Sequence, residues 1–283
     1  MPKKIHFTKM HGISNDYIYI NCFDGIPADP AELAVKMSPR HSSVGSDGVV
    51  LICPSDIADA KMRIFNADGS EAKMCGNAVR CVGKYLYERG IARRETVTVD
   101  TLSGIKTLSL RVKDGAVVSV SADMGKAVTV PEKIPVIFSG EKMINEPVEV
   151  CGAEYGITAV SMGNPHAVVY CDDPYALELE KIGPHFENLP IFPDRVNTEF
   201  IRVVSPTELE MRVWERGSGE TYACGTGACA SVVASVLNGF CKTGEPVRVN
   251  LRGGSLTITV DEELRVTMEG PAEFVYDGEY ILE

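Results

Sequence analysis

The sequence predicts an α+β protein of two pseudo-symmetric, strand-rich domains, each wrapped around a central helix, with a cleft between them. Three observations predict it. The chain repeats itself at a fixed offset. Short Val-, Ile- and Thr-rich runs separated by turn residues dominate both halves. In each half, one Cys-Gly pair opens a helical stretch that a glycine closes.

The repeat aligns Met62–Gly90 with Met211–Gly239 without a gap, at an offset of 224 − 75 = 149. Identities fall at Met62/Met211, Arg63/Arg212, Glu71/Glu220, Cys75/Cys224, Gly76/Gly225 and Gly90/Gly239. Six identities in 29 positions are thin alone, but the same offset also pairs Asn15 with Asn164, each just before an apolar strand. Both segments share one grammar: strand, polar Gly-bearing loop, Cys-Gly, helix, terminal glycine. The 283 residues suit two domains, and the Gly/Pro-punctuated stretch Met124–Pro131 marks the boundary.

In order along the first half, strands are expected at 16–22, 48–53, 61–66, 95–101, 105–112 and 116–123, with helices at 31–37 and 76–89. In the second half, strands are expected at 147–151, 157–161, 167–171, 198–204, 208–214, 246–251, 255–260, 264–268 and 274–281. Helices are expected there at 175–182 and 225–238. The last is almost free of charge, the pattern of a helix buried on nearly every side.

A composition of 45% hydrophobic and 24% charged residues is that of an ordinary globular protein. The formal charge of −11, with no basic run, argues against nucleic acid or an anionic membrane as partner. Met1-Pro2-Lys3-Lys4 leads straight into an amphipathic strand, so no secretory signal is expected. Nine cysteines, an odd number, then point to reduced thiols in the cytoplasm. None forms a C-x-x-C pair, and neither Cys75/Cys81 nor Cys224/Cys229 has zinc-site spacing or a nearby histidine, so no metal is expected.

The chemistry is expected at the two Cys-Gly pairs. A helix start presents unpaired N–H groups and the positive end of the dipole, which favour a thiolate and can hold a carboxylate. Glycine after the cysteine lets a substrate approach the backbone. A single such cysteine is more often structural. Two at one offset suggest an acid and a base on opposite faces of one carbon, which is what inversion of a stereocentre needs. Arg63 and Arg212, being matched, read as a structural pair kept by duplication, and Asp68-Gly69 reads as a turn.

Several stretches resemble the diaminopimelate epimerase family: Asn15-Asp16-Tyr17, Arg40–Gly48, Phe65–Ser70, Met74–Cys81, Gly163–His166, Val196–Glu199, Trp214–Gly217 and Ala223–Gly227. They run in order over nearly the whole chain, and the two cysteine motifs together are highly specific. The resemblance implies conversion of LL-2,6-diaminopimelate to the meso form for lysine and peptidoglycan synthesis, without pyridoxal phosphate or metal. It implies halves at 1–124 and 125–270, with 271–283 returning to the first, and a homodimer. By position it makes Cys75 and Cys224 the catalytic acid–base pair. It makes Gly76, Asn77, Gly225 and Thr226 the cradle of the reacting carboxylate. It makes Asn15, Asn66, Asn164, Asn197, Glu215 and Arg216 the holders of the amines and the distal carboxylate. His166 and Glu215 resemble residues that tune the thiols. Gly48 departs from members that carry glutamine there and is left out of the site.

Symmetry is broken where Arg216 falls opposite Ala67, Glu215 opposite Asn66 and His166 opposite Tyr17. A distal arm of the substrate has no mirror partner, so Arg216 is expected to fork onto its carboxylate. Four rivals differ in chemistry. A phenazine-pathway-type isomerase shares the fold but lacks the cysteine pair. A proline or hydroxyproline racemase shares the paired cysteines but typically carries histidine where this chain has Asn77. A duplicated carboxylate-binding module would not need the thiols. A redox sensor would close Cys75 and Cys224 into a disulfide.

Overall fold

In the computed structural model, residues 3–282 are described. Met1 and Pro2, part of the segment read above as carrying no secretory signal, lie outside the described residues, as does Glu283. The chain divides into two compact units. One runs through Ala122 and resumes at Glu269; the other is Asp123–Met268.

The first unit begins with β1 (Lys3–Gly12) and β2 (Asn15–Asn21). Helix α1 (Pro30–Met37) follows, where Asp29 accepts from the Glu32 N–H and Pro30 fixes the first turn. Next come β3 (Gly48–Cys53), β4 (Ala60–Asn66) and β5 (Glu71–Ala72). Helix α2 (Gly76–Glu88) leads to β6 (Thr96–Thr101), β7 (Gly104–Lys113) and β8 (Ala116–Lys126). The C-terminal strand, Glu273–Leu282, returns to pair antiparallel with β1, Phe7 opposite Gly278. A side chain at Gly278 would meet the Phe7 ring at 2.6 Å, so this crossing requires glycine.

The second unit holds β9 (Glu146–Val150), β10 (Ala153–Ser161), β11 (Pro165–Tyr170) and α3 (Leu179–Glu187). After them come β12 (Asn197–Ser205), β13 (Glu208–Glu215), β14 (Gly219–Thr221), α4 (Gly225–Leu237), β15 (Val247–Leu251), β16 (Gly254–Val260) and β17 (Arg265–Gly270).

The two ladders have one topology. β2 and β3 pair parallel with Ile18 opposite Val49, and β11 and β12 pair parallel with Ala167 opposite Thr198. β3 and β4 pair antiparallel with Val49 opposite Phe65, as β12 and β13 do with Thr198 opposite Trp214. Phe65 faces Glu71, and Trp214 faces Glu220. Every one of these partners is related by 149, so the repeat read in the sequence is a repeat of strand register. Register fixes which side chains share a face, and it therefore carries the site along with it.

The architecture is the predicted α+β one, few helices among many strands. In α2, Gly76–Leu86 are all buried, and in α4 only Thr226 interrupts burial between Gly225 and Ser235. Gly90 and Gly239 adopt positive φ, +77° and +78°, and end the two helices. Among the described residues no helix is long and apolar enough to cross a membrane.

One predicted element is displaced. In place of a helix over 175–182, a single 3-10 turn spans Pro174–Ala176, and α3 starts at Leu179. Asp173 accepts from the Tyr175 N–H and closes the turn locally. The helix forms later, where Leu179, Gly183, Phe186 and Glu187 share one buried face. The short strands β5 and β14 were not anticipated. Each is held by an arginine–glutamate fork rather than by apolar pattern: Arg63 Nε and Nη2 onto Glu71, and Arg212 Nε and Nη2 onto Glu220, at 2.7–3.0 Å.

Candidate active site

Each unit carries one cysteine at the start of its central helix. In the first, Cys75 has extended backbone (φ −139°, ψ 120°) and precedes α2. The Cys75 thiol donates to Asn15 Oδ1 at 3.4 Å, and Asn77 Nδ2 donates to the same oxygen at 3.2 Å. Asn15 is aimed by Asp47, whose Oδ2 accepts from Asn15 Nδ2 at 2.7 Å. Asp47 is in turn bridged by Arg40 to Asp16. Burial pushes the Asp16 carboxyl up, but Arg40 and Lys9 outweigh it and hold it below its usual range. Asn77 is held from behind by Arg80, a fully buried arginine that donates to Asn77 Oδ1, to the Gly76 carbonyl and to the Pro271 carbonyl. Sequence reasoning missed Arg80, whose role depends on a backbone carbonyl 191 residues later in the chain.

Tyr17 lies two residues along β2 from Asn15, on the same face of the strand. Burial first, then the proximity of Cys75 and Asp47, raises its hydroxyl well above the usual tyrosine value. Asn66 stands apart from this group, its side chain donating to Ser70 Oγ around the turn at Asp68-Gly69, where Gly69 has φ +85°. Gly48 faces Asn66 across the ladder, and a Cβ there would sit 2.1 Å from the Phe65 carbonyl oxygen. The glutamine of other family members therefore has no room at this backbone position.

In the second unit Cys224 is also extended (φ −121°, ψ 106°) and caps α4 with its side chain, Sγ accepting from the Gly227 N–H at 3.3 Å. Thr226 Oγ1 lies 3.6 Å from the same sulfur. Asn164 Nδ2 donates to Thr226 Oγ1 at 3.4 Å, and Asn164 Oδ1 lies 3.1 Å from His166 Nε2. His166 Nδ1 meets Glu199 Oε1 at 2.7 Å, both side chains wholly inaccessible. The hydroxyl of Thr221 and the thiol of Cys224 hydrogen-bond to Glu215. Burial raises the Glu215 carboxyl above its usual value, although those two bonds oppose the rise.

A helix start was expected to favour both thiolates. At Cys224 the opposite holds. Burial, then Glu215, then Glu199, raise this thiol well above its ordinary value, and the bonds from Thr226 and the Gly227 N–H do not offset them. Two carboxylates beside a sulfur in a water-poor setting outweigh a partial helix charge.

Asn197 and Arg216 form a separate contact in this unit. Asn197 accepts from the Arg216 backbone N–H at 3.0 Å and donates to the Pro165 carbonyl at 2.9 Å. The Arg216 guanidinium donates to the Asp194 carbonyl at 2.7 Å. The structure thus gathers Asn15, Cys75, Gly76 and Asn77 in one unit. In the other it gathers Asn164, His166, Glu215, Cys224, Gly225 and Thr226. Among the described residues no three His, Cys, Asp or Glu side chains come together as metal ligands.

A family model described as diaminopimelate epimerase matches residues 7–130 and 158–275. A diaminopimelate epimerase of Acetivibrio thermocellus is 54% identical over 276 residues, covering 97% of this chain and 98% of its own length. One of Desulfovibrio desulfuricans is 52% identical and covers all of both chains. Among solved structures, a hydroxyproline epimerase from Agrobacterium vitis with bound trans-4-hydroxy-L-proline superposes with a TM-score of 0.72 at 16% identity, covering 100% of this chain and 94% of its own. A phenazine biosynthesis protein of the PhzF family from Bacillus anthracis gives 0.70 at 18%, covering 99% and 100%. At these identities the two structures speak for the fold alone.

Proposed function

Since the chain belongs to the diaminopimelate epimerase family and is an epimerase, we propose that it converts LL-2,6-diaminopimelate to meso-diaminopimelate. One Cα is inverted by a cysteine base and a cysteine acid, and neither pyridoxal phosphate nor metal takes part. The observation that carries this reading is the duplicated cysteine: Cys75 and Cys224 stand at the same register of the same element in both units. Inversion requires a proton to leave one face of the carbon and another to arrive on the opposite face, and two equivalent thiols meet that requirement.

The surroundings of the thiols divide the labour. Cys224 is held against ionisation first by burial, then by Glu215 and Glu199, so it enters the LL direction as the acid. Cys75 then has to supply the base. Ionising Cys224 would place a negative charge in a buried setting beside two carboxylates. The backbone N–H groups at the starts of α2 and α4, through Gly76, Asn77, Gly225 and Thr226, hold the carboxylate of the reacting end as charge develops on it. Asn15, Asn66, Asn164, Asn197, Glu215 and Arg216 hold the amines and the distal end. His166 and Glu215 tune the two thiols. The product serves lysine and peptidoglycan synthesis in the cytoplasm, and the working enzyme is a homodimer.

The test is incubation with LL-diaminopimelate in D2O, following α-deuteration and stereochemistry, with Cys75→Ser and Cys224→Ser alongside. Wild type is expected to place deuterium at one α-carbon and yield the meso isomer, and each variant to lose inversion. Binding without exchange would move the chain to a carboxylate-binding module. Exchange on L-proline instead would move it to the proline racemases.

A further inference from the structure

Glu199 bears on Cys224 in the second unit's site but has no part there as a substrate ligand, acid or base. It stands on β12 between Thr198 and Phe200 with 0% exposure. Oε1 meets His166, and Oε2 has no hydrogen-bond partner among the described residues. A buried carboxylate with an unpaired oxygen is costly and is a poor way to stabilise a fold.

The first unit shows that the fold does without it. The residue matched to Glu199 is Val50 (199 − 149 = 50), the match of His166 is Tyr17, and the match of Gly227 is Ala78. The glycine is tied to the carboxylate. A Cβ at Gly227 would lie 2.5 Å from Glu199 Oε1 and 3.1 Å from Glu199 Cγ, whereas Ala78 sits fully buried at the equivalent turn of α2. Thus three substitutions between the repeats, Val50/Glu199, Tyr17/His166 and Ala78/Gly227, act together to admit the buried Glu199–His166 pair beside Cys224. From that pair an unbroken series of polar contacts runs to the sulfur: Glu199 to His166 at 2.7 Å, His166 to Asn164 at 3.1 Å, Asn164 to Thr226 at 3.4 Å, and Thr226 to Cys224 at 3.6 Å.

We infer that Glu199 is a positioning residue that, with His166, Asn164 and Thr226, fixes the hydrogen-bond direction around Cys224 and keeps this cysteine protonated between turnovers. This rests on the reading of Cys224 as an acid of the epimerase. The charged and titratable groups that bear on the sulfur are Glu215 from β13 and Glu199 from β12, with His166 of β11 behind Glu199. Thr226 and the Gly227 N–H, from α4 itself, act in the opposite sense. Removing the Glu199 charge therefore releases one of two carboxylates that oppose ionisation.

The experiment measures the pH dependence of Cys224 alkylation by iodoacetamide, read on the Cys224 peptide by mass spectrometry, in a Cys75→Ser background. It needs no substrate, so its outcome is independent of the inversion assay. Glu199→Gln, isosteric but neutral, is expected to lower the midpoint by about one pH unit. Glu199→Asp, which keeps the charge, should hold it close to the parent. If Glu199→Gln does not fold, Glu199→Val with Gly227→Ala installs the packing already present at Val50 and Ala78, and the same downward shift is expected. A midpoint unchanged in the folded neutral variant overturns the inference, while wild-type inversion in D2O would leave the epimerase reading standing.

Discussion

The two cysteine sites share a backbone and differ in charge. Where the second unit carries Glu215, Glu199 and His166, the matched positions of the first carry Asn66, Val50 and Tyr17. The helix starts also differ. Cys75 makes no side-chain cap, whereas the Cys224 sulfur takes the Gly227 N–H. The reaction is symmetric about the carbon it inverts, but the two thiols must begin each turnover in opposite protonation states. Duplication supplies the geometric symmetry, and three titratable residues in one copy break the electrostatic one.

The sharpest way to break this comparison is to ask which thiol reacts. At pH 7.5 iodoacetamide should alkylate Cys75 roughly a hundredfold faster than Cys224, because Cys224 is buried and because burial, then Glu215 and Glu199, oppose its ionisation. Peptide mass spectrometry along a time course gives both rates. Equal rates would mean that the charges in the second unit do not distinguish the sites.

Much of this was legible in the sequence, because the repeat is gapless through both cysteines. A constant offset of 149 already implied shared register, and the identities at Arg63/Arg212 and Glu71/Glu220 mark two forks that the structure closes at the same place in each unit. Residues that differ between the copies were harder to read. Glu199 lies in a run that reads as an ordinary strand, and its match, Val50, gives no hint of an ionisable partner. The signal available was a single carboxylate inside that run. Gly227 opposite Ala78 reads as neutral drift until the space it leaves is seen to be occupied by Glu199. The rise of the Cys224 thiol depends on how burial and two carboxylates combine, and spacing along the chain carries no information on that balance.

The forks offer a second contrast. Arg63 and Glu71 are 30% and 29% exposed, while Arg212 and Glu220 are 12% and 8%. Arg212 also donates to the Pro174 and Leu177 carbonyls, and Glu220 also accepts from Arg252. Arg212→Ala should therefore cost about 3 kcal/mol of stability and Arg63→Ala about 1 kcal/mol, by urea denaturation at pH 7. Arg63 holds the Glu71 carboxyl below its usual value; at Glu220 burial pushes up, but Arg212 and Arg252 prevail and hold it below. A depressed carboxyl contributes fully above its unfolded value of 4.5 and loses that contribution as pH falls through its folded one. The gap between each variant and wild type should thus be full at pH 7 and close on acidification below 4.5. Equal losses in the two variants at pH 7 would show that the exposure difference has no energetic weight.

The smallest effect tests the pairing of glycine with buried charge. Gly227→Ala adds a methyl 2.5 Å from Glu199 Oε1, an overpacking cost of about 2 kcal/mol, against which alanine returns about 1 kcal/mol of helix propensity. The net loss should be about 1 kcal/mol. In a Glu199→Val background, which reproduces the Val50 and Ala78 packing of α2, the same substitution meets no carboxylate and should stabilise by about 1 kcal/mol. The double-mutant cycle then gives a coupling of about 2 kcal/mol between two residues 28 positions apart (227 − 199). Additive changes would mean that Gly227 is glycine for the sake of a substrate approaching the start of α4, and not to make room for Glu199.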